Sequence, residues 1–270
     1  MEIYQSITSK SNPRIVRVAK YTDKKYRDQD GVFVCEGLKL FEEAVLAGAD
    51  IREIYVDEEA YSRWPEQVHA RIRSCDGAER FCIPKEIFRK LTAESAPQGI
   101  LAVVKCLPSI RTVDTSKPEA GETVMLFESI RDPGNLGTLI RTAAAFGFDR
   151  LILSKDCTDV FNPKVIRGAM GAIFKVKIDY CRDFVSTVKH LGNSGRRTLA
   201  ALPRERAVIA GRDPLRADDC IVIGNEGHGL SDETIDACTD AIYIPMEENT
   251  ESLNAAIASS VLMWEIAKSK

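Results

Sequence analysis

The first stretch of residues that could carry chemistry runs from Glu128 to Leu153 and reads ESIRDPGNLGTLIRTAAAFGFDRLIL. An apolar run, TVMLFE, leads through Asp-Pro-Gly-Asn into a helix that the apolar spacing predicts. Asn135 could cap this helix, and Arg141 follows a few residues later, near a helix start that favours anions. A capped surface helix with a solvated arginine accounts for the same residues equally well. The apolar face of the helix is expected to consist of Leu136, Leu139, Ile140 and Ala143.

The second stretch, IVIGNEGHGLSDE at residues 221–233, is an apolar strand that opens into glycines. Glycines let a backbone approach a ligand closely and adopt positive φ, which suits a nucleotide-like molecule. Their order, G-x-x-G-x-G, differs from the dinucleotide fingerprint, and no G-x-x-x-x-G-K-[ST] loop occurs, which argues against NAD and ATP. Ser231 is expected to cap the next helix, and His228 is expected to be a loop residue rather than a catalyst.

The third stretch, IPMEENTESLNAAIASSVLMWEI at residues 244–266, leaves a strand, crosses a polar loop and enters a helix near Ser252. Ser252 and Asn254 stand where helix caps stand, and this segment alone favours capping over a functional role. The apolar stripe expected to face the core consists of Leu253, Ala256, Ile257, Val261 and Trp264.

Short apolar runs that alternate with helical segments must position these three loops. Beyond residue 121 the runs predict a mostly parallel sheet covered on both faces, and ligands of such sheets collect beyond the carboxyl ends of the strands. An earlier set of runs, such as VFVCE, REIYVD and GILAVVKC, predicts a separate α/β unit at residues 1–106. Residues 107–121, rich in Pro, Ser, Thr and charge, are expected to be a linker to a second domain at 122–270.

The composition is that of an ordinary globular protein, with 44% hydrophobic and 29% charged residues. No apolar run is long enough to span a bilayer, and the N-terminus has no secretory pattern, so a cytoplasmic protein is expected. The 8 cysteines include no C-x-x-C pair, which favours reduced core thiols, and no metal site is expected.

The net charge of −3 gives no general support for nucleic-acid binding, but the charge is unevenly distributed. The first 27 residues form a basic arm that could bind phosphates or could be a solvated helix face. Its cations are Lys10, Arg14, Arg17, Lys20, Lys24, Lys25 and Arg27, against Glu2 and Asp23.

In order and spacing, DPGNLGTLIRTA, GNEGHGL and IPM-x5-SLN resemble the three motifs of the SpoU, or TrmH-like, family of RNA ribose methyltransferases. SKSNPRI, FVCEG and QGILAVV resemble the substrate-binding domain of that family. The resemblance implies a C-terminal SPOUT α/β domain tied into a deep trefoil knot, an exception to the rule against threading. It also implies an N-terminal L30e-like α/β domain that binds RNA, and a homodimer whose interface helps to build the active site.

The resemblance further implies S-adenosylmethionine as cofactor, no metal, and a ribose 2′-hydroxyl as methyl acceptor. The implied cofactor pocket consists of Leu202, Gly224, Asn225, Glu226, Gly227, Ile244, Pro245, Met246, Ser252, Leu253 and Asn254. The implied catalytic residues are Asn135 and Arg141, supported by Glu226 and Asn254. With the family in view, RNA phosphates are expected to contact Lys10, Arg14, Lys24, Lys25 and Arg27.

Within this family the motif-one arginine is the usual proposal for the base that takes the hydroxyl proton. A guanidinium with a pKa above about 12 does not give up its proton readily. We therefore hypothesise that Arg141 grips the adjacent phosphate and the developing alkoxide, so that charge stabilisation and positioning do most of the catalysis.

The expected substrate is 23S ribosomal RNA, because simple transfer-RNA relatives usually lack the N-terminal domain. Two alternatives within the RNA-binding class are a transfer-RNA 2′-O-methyltransferase and a catalytically silent RNA-binding protein. A nucleotide-dependent oxidoreductase or transferase would also suit the alternation of strands and helices, but the fingerprint glycines are missing.

Overall fold

The computed structural model describes residues 4–92, 94–202, 207–247 and 252–269. The chain forms two compact units, one of Met1–Leu107 with Asp159–Phe174 and one of Pro108–Thr158 with Lys175–Lys270. The strands are β1 (Gln5–Ser6), β2 (Val32–Glu36), β3 (Ile51–Asp57), β4 (Glu79–Ile83), β5 (Ile100–Lys105), β6 (Ile110–Val113), β7 (Val124–Phe127), β8 (Arg150–Ser154), β9 (Lys177–Cys181), β10 (Thr198–Ala201), β11 (Val208–Ile209), β12 (Cys220–Ile223) and β13 (Asp240–Tyr243).

The α-helices are α1 (Pro13–Ala19), α2 (Lys24–Asp30), α3 (Leu38–Leu46), α4 (Glu58–Tyr61), α5 (Glu66–Arg73), α6 (Lys85–Leu91), α7 (Pro133–Ala145), α8 (Pro163–Ala169), α9 (Phe184–Asn193), α10 (Asp232–Ala237) and α11 (Ala255–Ala267). Two short 3-10 helices lie at Lys20–Thr22 and Ala172–Phe174. Three of the helices begin with proline, whose missing N–H costs nothing in the first turn.

The first unit is a mixed sheet with strand order β1-β4-β3-β5-β2, in which β5 runs antiparallel to both of its neighbours. Helices α1 and α6 pack on it through residues such as Ile15 and Phe88, over the stacked rings of Tyr55 and Phe81. The segment Asp159–Phe174 also packs in this unit, where the ring of Phe161 lies 4.9 Å from that of Phe33.

The second unit is a parallel sheet with strand order β11-β13-β10-β12-β7-β8-β9-β6. Strands β7 and β12, VMLF and CIVI, are buried along their whole length, as strands covered on both faces must be. The predicted parallel α/β arrangement is confirmed. Because β13, β10, β12 and β7 are consecutive in the sheet, the loops that follow them meet at one edge.

Part of the segment expected to be a linker is strand β6, which pairs with β9 at the edge of the sheet. The division into domains at 1–106 and 122–270 stays a prediction, and so does the trefoil knot. All eight cysteines are free, and five of them are buried. Across the described residues, no helix is long and apolar enough to cross a membrane, and no three His, Cys, Asp or Glu side chains converge as a metal site.

Candidate active site

The first turn of α7, which follows the loop from β7, carries Asn135 at the edge of the sheet. The residue that caps α7 is Asp132, whose Oδ1 accepts a hydrogen bond from Asn135 N at 2.8 Å. The expectation that Asn135 is the cap is therefore wrong, because Pro133 already begins the helix and leaves Asn135 within its first turn. This arrangement leaves the Asn135 amide available for other contacts. The predicted apolar face of Leu136, Leu139, Ile140 and Ala143 is buried as expected.

Three of the predicted catalytic side chains form one connected line. The Asn135 amide nitrogen donates to Glu226 Oε1 at 2.9 Å, and Asn254 Nδ2 donates to Asn135 Oδ1 at 3.0 Å. Asn135 lies more than 90 residues along the chain from both Glu226 and Asn254. The sheet therefore brings together what the sequence holds apart.

The loop after β12 is a tight turn that fixes Glu226. Asn225 and Gly229 exchange two backbone hydrogen bonds of 2.9 and 3.0 Å, and Asn225 Oδ1 accepts from Gly227 N at 2.8 Å. Gly229 takes a φ of +71°, and a Cβ on Gly224 would lie 2.2 Å from the carbonyl carbon of Gly229. Two of the glycines thus serve the turn itself: one supplies the left-handed conformation and the other supplies space.

Glu226 is held as a carboxylate by its surroundings. Partial burial acts to raise its pKa, but hydrogen bonds from the Asn135 amide and from backbone N–H groups outweigh burial, so the pKa lies below its ordinary value. Two of those N–H groups belong to Arg131 and Asp132, each 3.4 Å from the carboxylate. A stable negative charge therefore lies at the centre of the line of side chains.

Asn254 caps α11, and its side chain also joins the line. Its Oδ1 accepts from Ala256 N at 2.9 Å and from Ile257 N at 3.3 Å, while its Nδ2 contacts Asn135. Asn254 therefore both caps α11 and takes part in the candidate site, two roles that the sequence presents as alternatives. Ser252 precedes the helix and does not cap it.

The apolar stripe predicted for α11 is partly wrong. Ala256 is buried, but Ile257, Val261 and Trp264 are exposed, Trp264 by 52%. The residues of α11 that face the core are instead Ala255, Ala256, Ser259, Leu262, Met263 and Ile266. An apolar strip thus remains uncovered on α11, next to Phe146 at the end of α7, whose ring lies 5.6 Å from that of Trp264.

A cavity of about 150 Å³ opens at the carboxyl ends of β10 and β13. The predicted cofactor residues that line it are Leu202, Ile244, Met246, Ser252 and Leu253. The other predicted cofactor residues, Gly224, Asn225, Glu226, Gly227, Pro245 and Asn254, are absent from this lining. Residues that the motifs missed also line it, namely Ala201, Ile242, Tyr243 and Ala258. Strand β10 ends at Ala201, and β13 ends at Ile242 and Tyr243, directly before the predicted residues. An assignment of the strand ends from the sequence could have identified them.

A second, more open groove of about 780 Å³ lies between the loops after β7 and β12. Arg131, Asn225, Glu226 and His228 line it. One wall is fixed by Glu128, whose carboxylate accepts from Ser231 N at 2.9 Å and from Ser231 Oγ at 2.8 Å. Ser231 caps α10, as the sequence predicts.

Arg141 stands apart from the line of Asn135, Glu226 and Asn254. It lies exposed on α7 and has no hydrogen-bond or ion-pair partner among the described residues. The neighbouring Thr142 faces α11, with its hydroxyl 3.4 Å from that of Ser260. The guanidinium is therefore available to a ligand or to another chain, and it forms no hydrogen bond or ion pair with Glu226.

The basic arm divides into exposed and committed cations. Lys10, Lys24 and Lys25 are exposed, although Lys24 has an ion pair with Asp28 at 3.2 Å. Arg14 pairs with Glu79 at 2.8 Å and lies over the ring of Phe81.

Arg27 does not fit its predicted role as an RNA contact. It is 2% exposed, with one guanidinium nitrogen 2.7 Å from Tyr21 O and another 2.5 Å from Asp159 Oδ2. A charge so buried and already paired within the first unit is not presented to RNA phosphates.

Comparison with known proteins places this geometry in a family. The model of the SpoU rRNA Methylase family matches residues 122–264, and that of the MRM3-like substrate binding domain matches residues 12–102. The chain belongs to the SpoU rRNA methylase family. It is 29% identical to the 23S rRNA (guanosine(2553)-2'-O)-methyltransferase RlmP of Bacillus subtilis, over 97% of this chain and 99% of that protein.

Further relatives agree with this membership. The chain is 27% identical to the mitochondrial rRNA methyltransferase 3A of Danio rerio, over 93% of this chain and 67% of that protein. Its fold matches the crystal structure of an AdoMet-bound rRNA methyltransferase from Sinorhizobium meliloti with a TM-score of 0.82 and 27% identity, covering 98% of each chain. The SpoU resemblance and the α/β fold class read from the sequence are thereby confirmed.

Proposed function

We propose that this protein transfers a methyl group from S-adenosylmethionine to a ribose 2′-hydroxyl of 23S ribosomal RNA. The observation that carries the proposal is the line Asn254–Asn135–Glu226 beside an apolar cavity at the same edge of the sheet. Support comes from the family membership, from RlmP, and from the AdoMet-bound relative.

The described residues of the cavity fit the proposed cofactor. Leu202, Ile244, Met246 and Leu253 offer apolar walls of the kind that holds an adenine ring and a methionine chain, and Ser252 offers a hydroxyl. When bound, the cofactor supplies an activated methyl group on its sulfonium, so the chemistry asks of the protein chiefly alignment and charge stabilisation.

We assign the alignment to the line of polar side chains. Asn135 has both ends of its amide committed, one to Glu226 and one to Asn254, so it cannot rotate without breaking a hydrogen bond. Glu226 is a carboxylate at neutral pH, and the hydrogen bonds that lower its pKa favour this charged form. A fixed carboxylate and a fixed amide are suited to orient a ribose through its hydroxyl groups.

We assign charge stabilisation to Arg141. A guanidinium keeps its proton at neutral pH, so it acts here as a donor to the phosphate and to the developing alkoxide rather than as a base. Its exposure on α7 leaves it available for that contact. The exposed lysines of the basic arm, Lys10, Lys24 and Lys25, add sequence-independent contacts to RNA phosphates.

We also infer a homodimer that forms through α11 and α7. The exposed strip of Ile257, Val261 and Trp264 is an apolar patch that a second copy would cover. The trefoil knot and a cytoplasmic location remain predictions from the sequence.

The decisive experiment is single-turnover methylation with the purified full-length chain and labelled S-adenosylmethionine. Ribosomal RNA and transfer RNA are offered separately, and the product is mapped for 2′-O-methyl groups. Methyl incorporation into 23S RNA is expected, while preferential labelling of transfer RNA would favour the alternative substrate. Cofactor binding without methyl transfer to any RNA would favour the silent RNA-binding protein.

Arg141→Lys tests the role of the guanidinium across pH. Lysine keeps the positive charge but loses the planar fork that holds phosphate and alkoxide together. A fall in single-turnover rate on the order of tenfold to a hundredfold is expected. Near-normal rates at every pH would remove the need for the fork.

A further inference from the structure

Asp156, just beyond the end of β8, is a hydrogen-bond hub beneath the loop between β7 and α7. Its carboxylate accepts from Ser129 Oγ at 2.5 Å, from Ser154 Oγ at 2.5 Å and from the Arg131 guanidinium at 2.7 Å. Although partial burial acts to raise its pKa, these hydroxyl donors lower it, so the group is a carboxylate. Asp156 lies outside all three motifs of the family resemblance.

The loop that Asp156 holds has an unusual backbone conformation at Ser129. This residue has a φ of +56°, in the left-handed region that residues with a Cβ seldom occupy. Three hydrogen bonds fix it there. Its Oγ donates to the Asp156 carboxylate, and its N–H donates to Ser154 Oγ at 2.8 Å. Its carbonyl oxygen accepts from Asn225 Nδ2 at 2.7 Å. Such a conformation persists only where its surroundings enforce it.

The same loop connects directly to Glu226. Arg131 and Asp132, two and three residues after Ser129, donate their backbone N–H groups to the Glu226 carboxylate. Arg131 is therefore held at two points, by its side chain on Asp156 and by its backbone on Glu226. A shift of the loop would move the carboxylate and, through it, Asn135.

We propose that Asp156 is a positioning residue for methyl transfer, which holds Ser129 in its left-handed conformation and thereby places Glu226 and Asn135. This inference rests on the proposed function. Asp156 is absent from the lining of the apolar cavity, so it acts on the geometry of the polar line and leaves cofactor binding alone.

The primary test is Asp156→Ala in the full-length chain. We expect kcat to fall by a factor on the order of ten to a hundred, which is what a displacement of about 1 Å costs a positioned reaction. The dissociation constant for S-adenosylmethionine, measured by calorimetry, is expected to stay within about twofold because the cavity walls are other residues. Faster hydrogen exchange of the Arg131 and Asp132 amides would report the loosened loop without reference to activity.

A rescue experiment separates positioning from general stabilisation. Glycine adopts positive φ without steric cost, so Ser129→Gly introduced into Asp156→Ala should recover a large part of the lost kcat. If Asp156 served only to stabilise the fold, the folded Asp156→Ala protein would keep a near-normal kcat, and the second substitution would change only its melting temperature. Asp156→Asn, which keeps an acceptor of the same shape, covers the case in which the alanine variant does not fold.

Asp183→Ala is the matched control. Asp183 also accepts from a serine hydroxyl and backbone, at 2.7 and 2.8 Å from Ser186, but it caps α9 away from the polar line. It should lower the melting temperature without lowering kcat. Normal kcat in Asp156→Ala, or no recovery in the double variant, overturns the proposal. Absence of methyl transfer by the wild-type chain would instead count against the proposed function.

Discussion

The tightest point of the candidate site is the backbone crossing at Gly224, and a single methyl group there should be felt throughout the loop. A Cβ at this position would lie 2.2 Å from the Gly229 carbonyl carbon, 2.3 Å from Leu230 N and 2.4 Å from Gly229 O. All three atoms are backbone, and two hydrogen bonds to Asn225 hold Gly229 in place. Gly224→Ala must therefore open the turn that carries Glu226.

The size of the expected loss in the free energy of unfolding follows from the fact that the clashing atoms belong to the backbone. Overpacking of a well-packed site costs about 1–3 kcal/mol, and a clash with fixed backbone belongs at the upper end. A loss of about 3 kcal/mol from a unit of this size corresponds to a melting temperature lower by about 6–12 °C. Because Glu226 contacts Asn135, we also expect kcat for methyl transfer to fall about a hundredfold.

Thermal unfolding followed by circular dichroism, with a methyl-transfer assay on the same preparations, measures both effects. Gly227→Ala is the matched control for stability, since the nearest atom to its Cβ would be Asn225 Oδ1 at an ordinary 3.5 Å. We expect the control to change the free energy of unfolding by less than about 0.5 kcal/mol. A Gly224→Ala protein that melts and methylates like the wild type would refute the reasoning.

Three further predictions concern charge and assembly. Burial acts to raise the pKa of Glu122, but hydrogen bonds from Arg150 and Lys177 hold the pKa at about 2 against an ordinary 4.5. The carboxylate therefore stabilises the fold above pH 4.5, and this contribution is lost as the pH falls towards 2. Glu122→Gln should reduce the dependence of the free energy of unfolding on pH over that range, and an unchanged pH dependence would contradict the assignment. Trp264→Glu should shift the protein from dimer to monomer in analytical ultracentrifugation, whereas Leu46→Glu, at a still more exposed leucine of α3, should not. A dimeric Trp264→Glu protein would argue against the proposed interface. Reversing Lys24 and Lys25 to glutamate should weaken RNA binding and reduce its dependence on salt, and identical salt slopes would leave the arm a solvated face.

Features fixed by residues close in sequence were predictable. The buried face of α7 follows from apolar spacing at 3.6 residues per turn, and the parallel sheet follows from short apolar runs that alternate with helices. The place of the site follows too, because loops after neighbouring parallel strands must share an edge.

The buried face of α11 could not be predicted in the same way. Its sequence, AAIASSVLMWEIA, is apolar on nearly every side, so periodicity alone does not distinguish the face that meets α7 from the face that meets solvent. A core face of Ile257, Val261 and Trp264 is one of several that this sequence allows. The packing of Leu262, Met263 and Ile266 decides the matter.

The basic arm shows a limit set by long-range contacts. Lys24, Lys25 and Arg27 have the same charge within four residues, yet only Arg27 is buried. Its partner, Asp159, lies 132 residues further along the chain, and nothing in the local sequence identifies it. Because a buried ion pair broken on one side costs about 3–5 kcal/mol, Arg27→Ala should destabilise the protein rather than merely weaken RNA binding.

The position of Arg141 on α7 is the strongest reason to expect that two chains build one site. Six residues separate it from Asn135, which in an α-helix correspond to about 9 Å along the axis and about 240° of rotation. The guanidinium thus lies on a different side of the helix from the amide that contacts Glu226. Arg141 is exposed, as is the uncovered strip of α11, the helix that packs against α7. We propose that a two-fold dimer through that strip, in which the same patch of both copies meets, brings each Arg141 to its partner's polar line. On this view the arginine acts on the substrate of the other protomer, and an engineered mixed dimer of Arg141→Ala with Glu226→Ala should retain one working site.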